Sequence, residues 1–249
     1  MKIVSPLRNA VAFLTILPVG EKGRLSPADF GRLPAYYPAA GLVLGFLLLL
    51  FFKLLKLVDL SFGLSAILVT ALLIILTRGF HLDGLADSMD ALFSHKSREE
   101  MLLIMKDSHQ GTFGVLAIVL DCFLKASLLE SLLQRPDYWA PLLLFPVWGR
   151  LSSSTVSAFS RYARAGGGLA RHAVELSGFG EFLTAFGLTL VISLACGFPA
   201  FLTALAVFLL SLVLVWLWEK ALRGVTGDLL GAGCEICEIF SLFFYLLFF

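Results

Sequence analysis

Charged residues are scarce in this 249-residue sequence. Asp, Glu, Lys and Arg make up 15% of it, whereas 59% of the residues are hydrophobic. The mean hydropathy is +0.91. Because a soluble domain carries nearer a quarter charged residues, this composition excludes an ordinary soluble enzyme. The sequence predicts a polytopic membrane protein.

Cysteine and histidine are also rare, with four residues of each type. Only Cys234 and Cys237 form a Cys-x-x-Cys pair, and neither a second pair nor a nearby histidine accompanies them. The histidines show no repeated metal-ligand spacing. This pattern argues against a zinc site and against a disulfide framework, so we interpret the cysteines as packing residues.

Apolar runs of about 20 residues cross a bilayer as helices, and seven candidates are present. We therefore expect an all-α helical bundle with about seven transmembrane helices, forming a single domain over residues 1–249. The predicted spans are 35–57, 62–76, 113–133, 139–159, 182–196, 199–217 and 234–249.

The positive charges are distributed unevenly between the connections. Alternating the spans leaves only Lys53, Lys56 and Arg135 on one side. The positive-inside rule makes the other side, with the N-terminus, cytoplasmic. Residues 78–90, 106–114, 166–168 and 224–233 then all face the cytoplasm, where four polar regions distant in sequence are able to converge on one site.

Three carboxylates, Asp83, Asp87 and Asp90, follow one another at helical spacing. They project within roughly 60° of one another, because each residue turns a helix by about 100°. A solvated helix face is the alternative interpretation, but interleaved apolar residues keep this segment close to the bilayer. Oxygen ligands without thiolate or imidazole favour magnesium, manganese or calcium, and magnesium is the default in a cytoplasmic site. Magnesium usually takes further ligands from substrate phosphates. The segment therefore predicts a magnesium site for a phosphorylated substrate.

Two further cytoplasmic segments carry candidate contacts. In residues 106–114, Lys106 is placed to attract an anion and Asp107 to join the metal cluster, although an ordinary helix cap explains this pattern equally well. In residues 224–233, four glycines surround Asp228 and permit close backbone approach. Glu235 and Glu238 follow on one helical face, as metal ligands or as acids favoured near a helix N-terminus.

Ionisable residues also fall within the predicted spans, where they are costly without a partner. Asp121 and Lys125, at i and i+4, are expected to neutralise one another. Arg150 has no local partner, so it lies near the membrane surface or reaches a carboxylate or a substrate phosphate. His81, two residues before Asp83, is either a second-shell partner or proton carrier, or a structural histidine.

Five strings of this sequence point to a known family. They are FLTILPV (13–19), YPAAG (37–41), GFHLDGLAD (79–87), IMKDS (104–108) and TGDLLGA (226–232). Together they resemble the cobalamin 5′-phosphate synthase family, also called adenosylcobinamide-GDP ribazoletransferases. The resemblance covers nearly the whole chain, and HLDGLAD is its most specific string. The chain departs from the family at His109, where an arginine is common.

This resemblance implies an integral inner-membrane enzyme with its active site facing the cytoplasm. The implied reaction joins adenosylcobinamide-GDP to α-ribazole or α-ribazole 5′-phosphate and releases GMP, with Mg²⁺ as cofactor. Membrane lipid surrounds such a protein, no nucleic acid is expected as a partner, and a homo-oligomer is left open. A CDP-alcohol phosphotransferase-like lipid enzyme and a cation or metabolite transporter are the alternatives, although a transporter more often places its charges near the bilayer midplane.

Our mechanistic hypothesis is that the ribazole 3′-hydroxyl attacks the phosphorus attached to cobinamide. Asp83 and Asp87 bind magnesium, while Asp90 either ligates it or accepts the hydroxyl proton. Positive groups hold the diphosphate, and further polar groups complete the metal, ribose or substrate contacts. The first set is Arg78, Lys106 and Arg150, and the second is His81, Asp107, Thr226, Asp228, Glu235 and Glu238.

Overall fold

The structure, a computed structural model, describes residues 4–19, 25–164 and 169–249. These residues form α-helices, one 3₁₀ helix (Leu33–Tyr36) and no strand, which confirms the all-α prediction. The helices are α1 Val4–Leu14, α2 Pro27–Arg32, α3 Tyr37–Leu57, α4 Phe62–Thr77, α5 Phe80–Leu92, α6 Arg98–Ile104, α7 Thr112–Leu133, α8 Trp139–Phe159, α9 Leu169–Glu175, α10 Phe179–Cys196, α11 Phe198–Leu222 and α12 Gly227–Phe248.

All seven predicted spans are helical, but they do not qualify equally as membrane crossings. Among the described residues, five helical segments are long and apolar enough, and α4 with α5 makes a sixth if that bent pair is counted as one span. The number of crossings and the side of the N-terminus stay predictions. The five segments are Pro27–Leu57, Thr112–Leu133, Phe179–Cys196, Phe198–Leu222 and Gly227–Phe248.

Helix α8 is not among these candidate crossings, and it lies at the centre of the bundle. It packs against α3, α10, α11 and α12, and most of its residues are buried. Its second half contains Arg150 and a run of hydroxyl residues over 152–155. A helix surrounded by protein has no need of a uniformly apolar surface. Gly41 and Gly45 of α3 allow this close packing, since a Cβ at either position would collide with the α8 backbone.

The connection between α4 and α5 turns the chain sharply. Arg78 and Gly79 both adopt left-handed backbone conformations, with φ of 58° and 64°. Such residues commonly end a helix, and here the backbone N–H of Gly79 donates to the carbonyl of Ile74 at 2.9 Å. As a result, α5 leaves α4 at 90°.

Helix α12 begins earlier than the predicted span over 234–249. Thr226 caps it, because its side-chain oxygen accepts a hydrogen bond from the backbone N–H of Leu229 at 3.3 Å. The glycine-rich residues 227–233 are therefore helical. They form the first two turns of α12, where the absence of a side chain at Gly231 and Gly233 permits close helix packing.

Candidate active site

Helix α5 presents the three predicted aspartates, which we call the carboxylate face: Asp83, Asp87 and Asp90. Asp83 is exposed, whereas Asp87 and Asp90 are partly buried. The negative charges of Asp83, Asp90 and Asp228 all act on Asp87. The predicted concentration of negative charge on one helix face is therefore present, and α12 adds a fourth carboxylate to it.

The segment between α6 and α7 packs over this face. The side-chain amide of Gln110 donates to Asp87 Oδ1 at 3.1 Å. The backbone N–H groups of Gly111 and Gly114 donate to the two oxygens of Asp90 at 2.7 and 2.8 Å. A Cβ at either glycine would collide with the Asp90 carboxylate. Asp90 thus anchors the start of α7, a contact that sequence reasoning did not anticipate.

Asp107 lies in the same segment, but its described contacts are local. Its Oδ1 accepts hydrogen bonds from the ring Nδ1 of His109 at 2.7 Å and from the His109 backbone N–H at 3.0 Å. The His109 side-chain bond, followed by the backbone bond, lowers the pKa of the Asp107 carboxyl. Asp107, His109 and Lys106 are all exposed. The described contacts of Asp107 are therefore with His109 rather than with the predicted metal cluster.

A close crossing of α5 and α12 brings Asp228 to the carboxylate face. A Cβ on Gly84 would lie 2.7 Å from the carbonyl oxygen of Asp228 and 3.0 Å from its Cα. On the facing helix, a Cβ on Gly231 would lie 3.1 Å from the carbonyl oxygen of His81. Glycine at both positions therefore allows the two backbones to approach.

Replacing Gly84 by Ala is expected to push α5 away from α12. We expect a destabilisation of about 1–3 kcal/mol, typical of overpacking, together with reduced turnover. The measurements are thermal unfolding in detergent and initial rates. Gly187→Ala is the matched control, because a Cβ there meets nothing within 4 Å. Equal behaviour of the two variants would show that the α5–α12 crossing tolerates a side chain.

Arg164 is a site residue that sequence reasoning missed. Its Nη2 donates to Asp228 Oδ2 at 2.6 Å and to the carbonyl oxygen of Met105 at 3.1 Å. The chain before Arg164 pairs with the turn before α12, where Ala163 N–H donates to the Val225 carbonyl at 2.8 Å. One signal in the sequence could have found it, because Arg164 and Asp228 were predicted to lie on the same, cytoplasmic side of the membrane.

Three of the four polar regions predicted to converge do so. The contacts above join α5, the segment before α7 and the start of α12 at one end of the bundle. The fourth region, 166–168, lies outside the described residues, although the neighbouring Arg164 reaches Asp228. Arg78 is exposed at the bend before α5.

Glu235 and Glu238 belong to a second cluster deeper in the bundle. At 1.5 Å per residue, they lie about 10 Å and about 15 Å further along α12 than Asp228. Lys125 Nζ lies 2.8 Å from Glu238 Oε2 and also pairs with Glu235. Their described partners are thus cations of the bundle interior rather than a metal shared with the carboxylate face.

This second cluster, which we call the buried ion network, consists of Asp121, Lys125, Arg150, Glu235 and Glu238. Lys125 Nζ lies 3.2 Å from Asp121 Oδ2, which confirms the predicted i, i+4 pair. Arg150 pairs with Glu238. Of the partners predicted for Arg150, the structure therefore shows a carboxylate. The side chains are 94–100% buried, because their exposed fractions run from 0% to 6%.

The donors of the carboxylate face fit a magnesium ion by their chemistry. Within the described ranges, no group of three or more His, Cys, Asp or Glu side chains is arranged to hold a metal ion. Magnesium, however, is usually bound by one or two carboxylates and completed by water and substrate phosphates. Asp83 is exposed and Asp87 is partly buried, one helical turn apart, so both are placed for such a role.

Comparisons with known proteins show the family of this chain. A family model described as cobalamin-5-phosphate synthase matches residues 6–246. A protein of Acetivibrio thermocellus named adenosylcobinamide-GDP ribazoletransferase is 38% identical, with 100% of both chains covered. Proteins of the same name from Clostridium acetobutylicum and Syntrophobacter fumaroxidans are 34% and 39% identical, covering 93% and 94% of this chain and 92% and 95% of theirs. No solved structure matches the chain. The chain therefore belongs to the cobalamin-5-phosphate synthase family and is an enzyme.

Proposed function

We propose that this enzyme joins adenosylcobinamide-GDP to α-ribazole, or to α-ribazole 5′-phosphate, and releases GMP. The family match over residues 6–246 carries this proposal. The convergence of the carboxylate face with Asp228 and Arg164 supports it, because phosphoryl transfer depends on positioning and on neutralising charge. The product is adenosylcobalamin or its 5′-phosphate.

In the proposed reaction, the 3′-hydroxyl of ribazole attacks the phosphorus attached to cobinamide. The bond from this phosphorus to the oxygen bridging to GMP breaks, and GMP leaves with that oxygen. The hydroxyl proton passes to a carboxylate. Gln110 donates only to Oδ1 of Asp87, so the other oxygen is kept for the metal ion proposed below. Since both oxygens of Asp90 accept hydrogen bonds, we assign Asp90 to holding the start of α7.

We further propose that Asp83 and Asp87 hold Mg²⁺. Magnesium would supply neutralisation of the charge on the diphosphate oxygens. Arg164 donates to Asp228 at the start of α12 and, at 3.1 Å, to the carbonyl oxygen of Met105. Lys106 is the next residue after Met105 in the chain. We assign these two cations to the diphosphate.

Arg164→Met is expected to raise KM for adenosylcobinamide-GDP about 10- to 100-fold, with little change in KM for α-ribazole. A hydrogen bond to a charged group contributes about 1.5–3 kcal/mol, which corresponds to this range. Steady-state kinetics with each substrate varied in turn measures the effect. Arg171→Met is the matched control, because the Arg171 side chain is 40% exposed and its described ion pair is local, with Glu175 at 2.8 Å. Unchanged KM in Arg164→Met would remove Arg164 from the diphosphate site.

The reaction itself is tested with the purified protein, adenosylcobinamide-GDP and either α-ribazole or its 5′-phosphate. We expect GMP release and cobalamin formation that require added magnesium. Release of CMP from a CDP-alcohol instead would favour a phospholipid-type transferase. Substrate accumulation in vesicles without turnover would favour a transporter. Comparing the ribazole with its 5′-phosphate also identifies the preferred acceptor.

We also propose a cytoplasmic-membrane location with the active site facing the cytoplasm. The positive-inside distribution of Lys and Arg supports this orientation. A topology reporter fused after Phe249 is expected to report the outer side of the membrane. A cytoplasmic signal from that fusion would contradict the combination of seven crossings with a cytoplasmic N-terminus.

A further inference from the structure

Arg150 connects the buried ion network to the helix that carries the carboxylate face. It lies on α8, and its side chain is 1% exposed. Its Nη1 pairs with Glu238 of α12, and its Nη2 lies 3.2 Å from Nδ1 of His81 on α5. One guanidinium therefore contacts two other helices. Its burial also separates it from any soluble substrate.

The contact with Arg150 fixes how His81 carries its proton. A guanidinium has donors only and remains charged in proteins, so the nitrogen facing it must act as an acceptor. His81 Nδ1 is therefore unprotonated, and the ring proton lies on Nε2. His81 is itself 3% exposed, which leaves its ring little freedom to turn away. Arg150 thus selects one tautomer and one orientation of His81.

His81 is placed where its orientation matters for the proposed reaction. It precedes Asp83 by two residues on the same short helix, and its carbonyl lies at the α5–α12 crossing beside Gly231. Helix α5 packs chiefly against α12 and α7. The Arg150–His81 bond adds a polar connection from α5 to the central helix α8. A shift of α5 would displace Asp83 and Asp87 together.

We propose that Arg150 is a positioning residue: it holds His81 in the tautomer with the proton on Nε2 and thereby fixes α5 and its carboxylates against the bundle. This proposal rests on the proposed function for its kinetic readout. It replaces the earlier expectation that Arg150 contacts a substrate phosphate. Glu238 in turn orients Arg150, because Lys125 and Arg150 share its two oxygens.

Arg150→Lys is the most informative variant. It keeps a positive charge beside Glu238, so the buried carboxylate retains a partner and the protein is expected to insert and fold. A single ammonium lacks the planar fork that reaches Glu238 and His81 together. We expect kcat to fall about 10- to 100-fold, the usual loss when a residue that orients a ligand is replaced, with both KM values within about threefold of wild type.

Histidine NMR provides a readout that is independent of turnover. The chain has four histidines, and His81→Gln identifies the His81 signal by its loss. In ¹⁵N-histidine-labelled wild-type protein, we expect His81 to show the pattern of a neutral ring protonated on Nε2. In Arg150→Lys, we expect a mixture of tautomers. A wild-type ring protonated on Nδ1, or an unchanged pattern in the variant, would overturn the proposal.

Ser193→Ala is the matched control. It removes another buried hydrogen bond to α8, which Trp148 Nε1 donates to Ser193 Oγ at 3.0 Å. We expect this variant to keep both kcat and the His81 signal. An equal loss of kcat in Ser193→Ala would show that any disturbance of α8 packing lowers kcat, which would refute the positioning role of Arg150. A raised KM for adenosylcobinamide-GDP with normal kcat in Arg150→Lys would instead identify Arg150 as a substrate contact.

The positioning role of Arg150 and the proposed function can fail independently. If the wild-type protein fails to release GMP, the proposed function fails, whereas the tautomer of His81 still tests the contact with Arg150. If Arg150→Lys does not fold, Arg150→Met with Glu238→Gln removes both charges and allows the NMR comparison. Retention of the Nε2-protonated pattern in that double variant would refute the role of Arg150.

Discussion

Asp83→Asn is expected to lower turnover about 10²- to 10³-fold while the protein still inserts into the membrane. A metal ligand supplies several kcal/mol of transition-state stabilisation through the ion it holds, and an amide binds magnesium far less well than a carboxylate. Asp83 is exposed on α5, so the substitution leaves no buried group without a partner. Initial rates of GMP release, measured over a range of magnesium concentrations, give the effect.

The control for this prediction is Asp59→Asn. Asp59 is exposed between α3 and α4, and its φ of 53° suits asparagine. We expect it to retain wild-type turnover. If Asp83→Asn keeps more than about a tenth of the wild-type rate at saturating magnesium, Asp83 is not a metal ligand. A lower apparent affinity for magnesium in Asp87→Asn would support a shared ion.

Lys125→Met is expected to be the most destabilising substitution considered. Lys125 is 97% buried, since its side chain is 3% exposed, and it contacts Asp121, Glu235 and Glu238. Breaking a buried ion pair from one side costs about 3–5 kcal/mol, because the remaining charge is left without compensation. Arg150 still pairs with Glu238, whereas Asp121 and Glu235 lose their described cation.

Two measurements test this effect: thermal unfolding of the purified protein in detergent, and the amount of folded protein in membranes. Lys53→Met is the control, because Lys53 is exposed at the other end of the bundle and is expected to change stability by less than about 0.5 kcal/mol. Adding Asp121→Leu and Glu235→Leu to Lys125→Met is expected to recover part of the loss, because it removes the uncompensated charges. A Lys125→Met variant as stable as wild type would show that Lys125 is not needed for charge balance.

Features with a local or periodic signature were predictable from the sequence. Apolar runs located the helices, and the spacing of Asp121 and Lys125 gave their ion pair. The spacing of Asp83, Asp87 and Asp90 gave the shared face of α5. Charge alternation also placed three distant polar segments at one end of the bundle, where the structure finds them in contact.

Contacts between distant helices were not predictable, because a sequence without a fold gives no distance across the bundle. Arg150 and Glu238 are 88 residues apart, and Arg164 and Asp228 are 64 apart. Each residue had several candidate partners of opposite charge. The central position of α8 was hidden for the same reason, since residues 139–159 were predicted only as one of seven spans, without any information on which helices surround it. Asp90 appeared free for chemistry until the backbone of Gly111 and Gly114 was located.

The right-angle turn at Arg78 and Gly79 bears on how the bulky corrinoid of the proposed reaction reaches the site. Because α5 runs crosswise to α4, its row of aspartates borders the end of the assembly instead of lining a passage through it. A bulky substrate can approach such a row broadside. Under the proposed function, transfer of the nucleotide loop at this face then requires no opening of the helical scaffold.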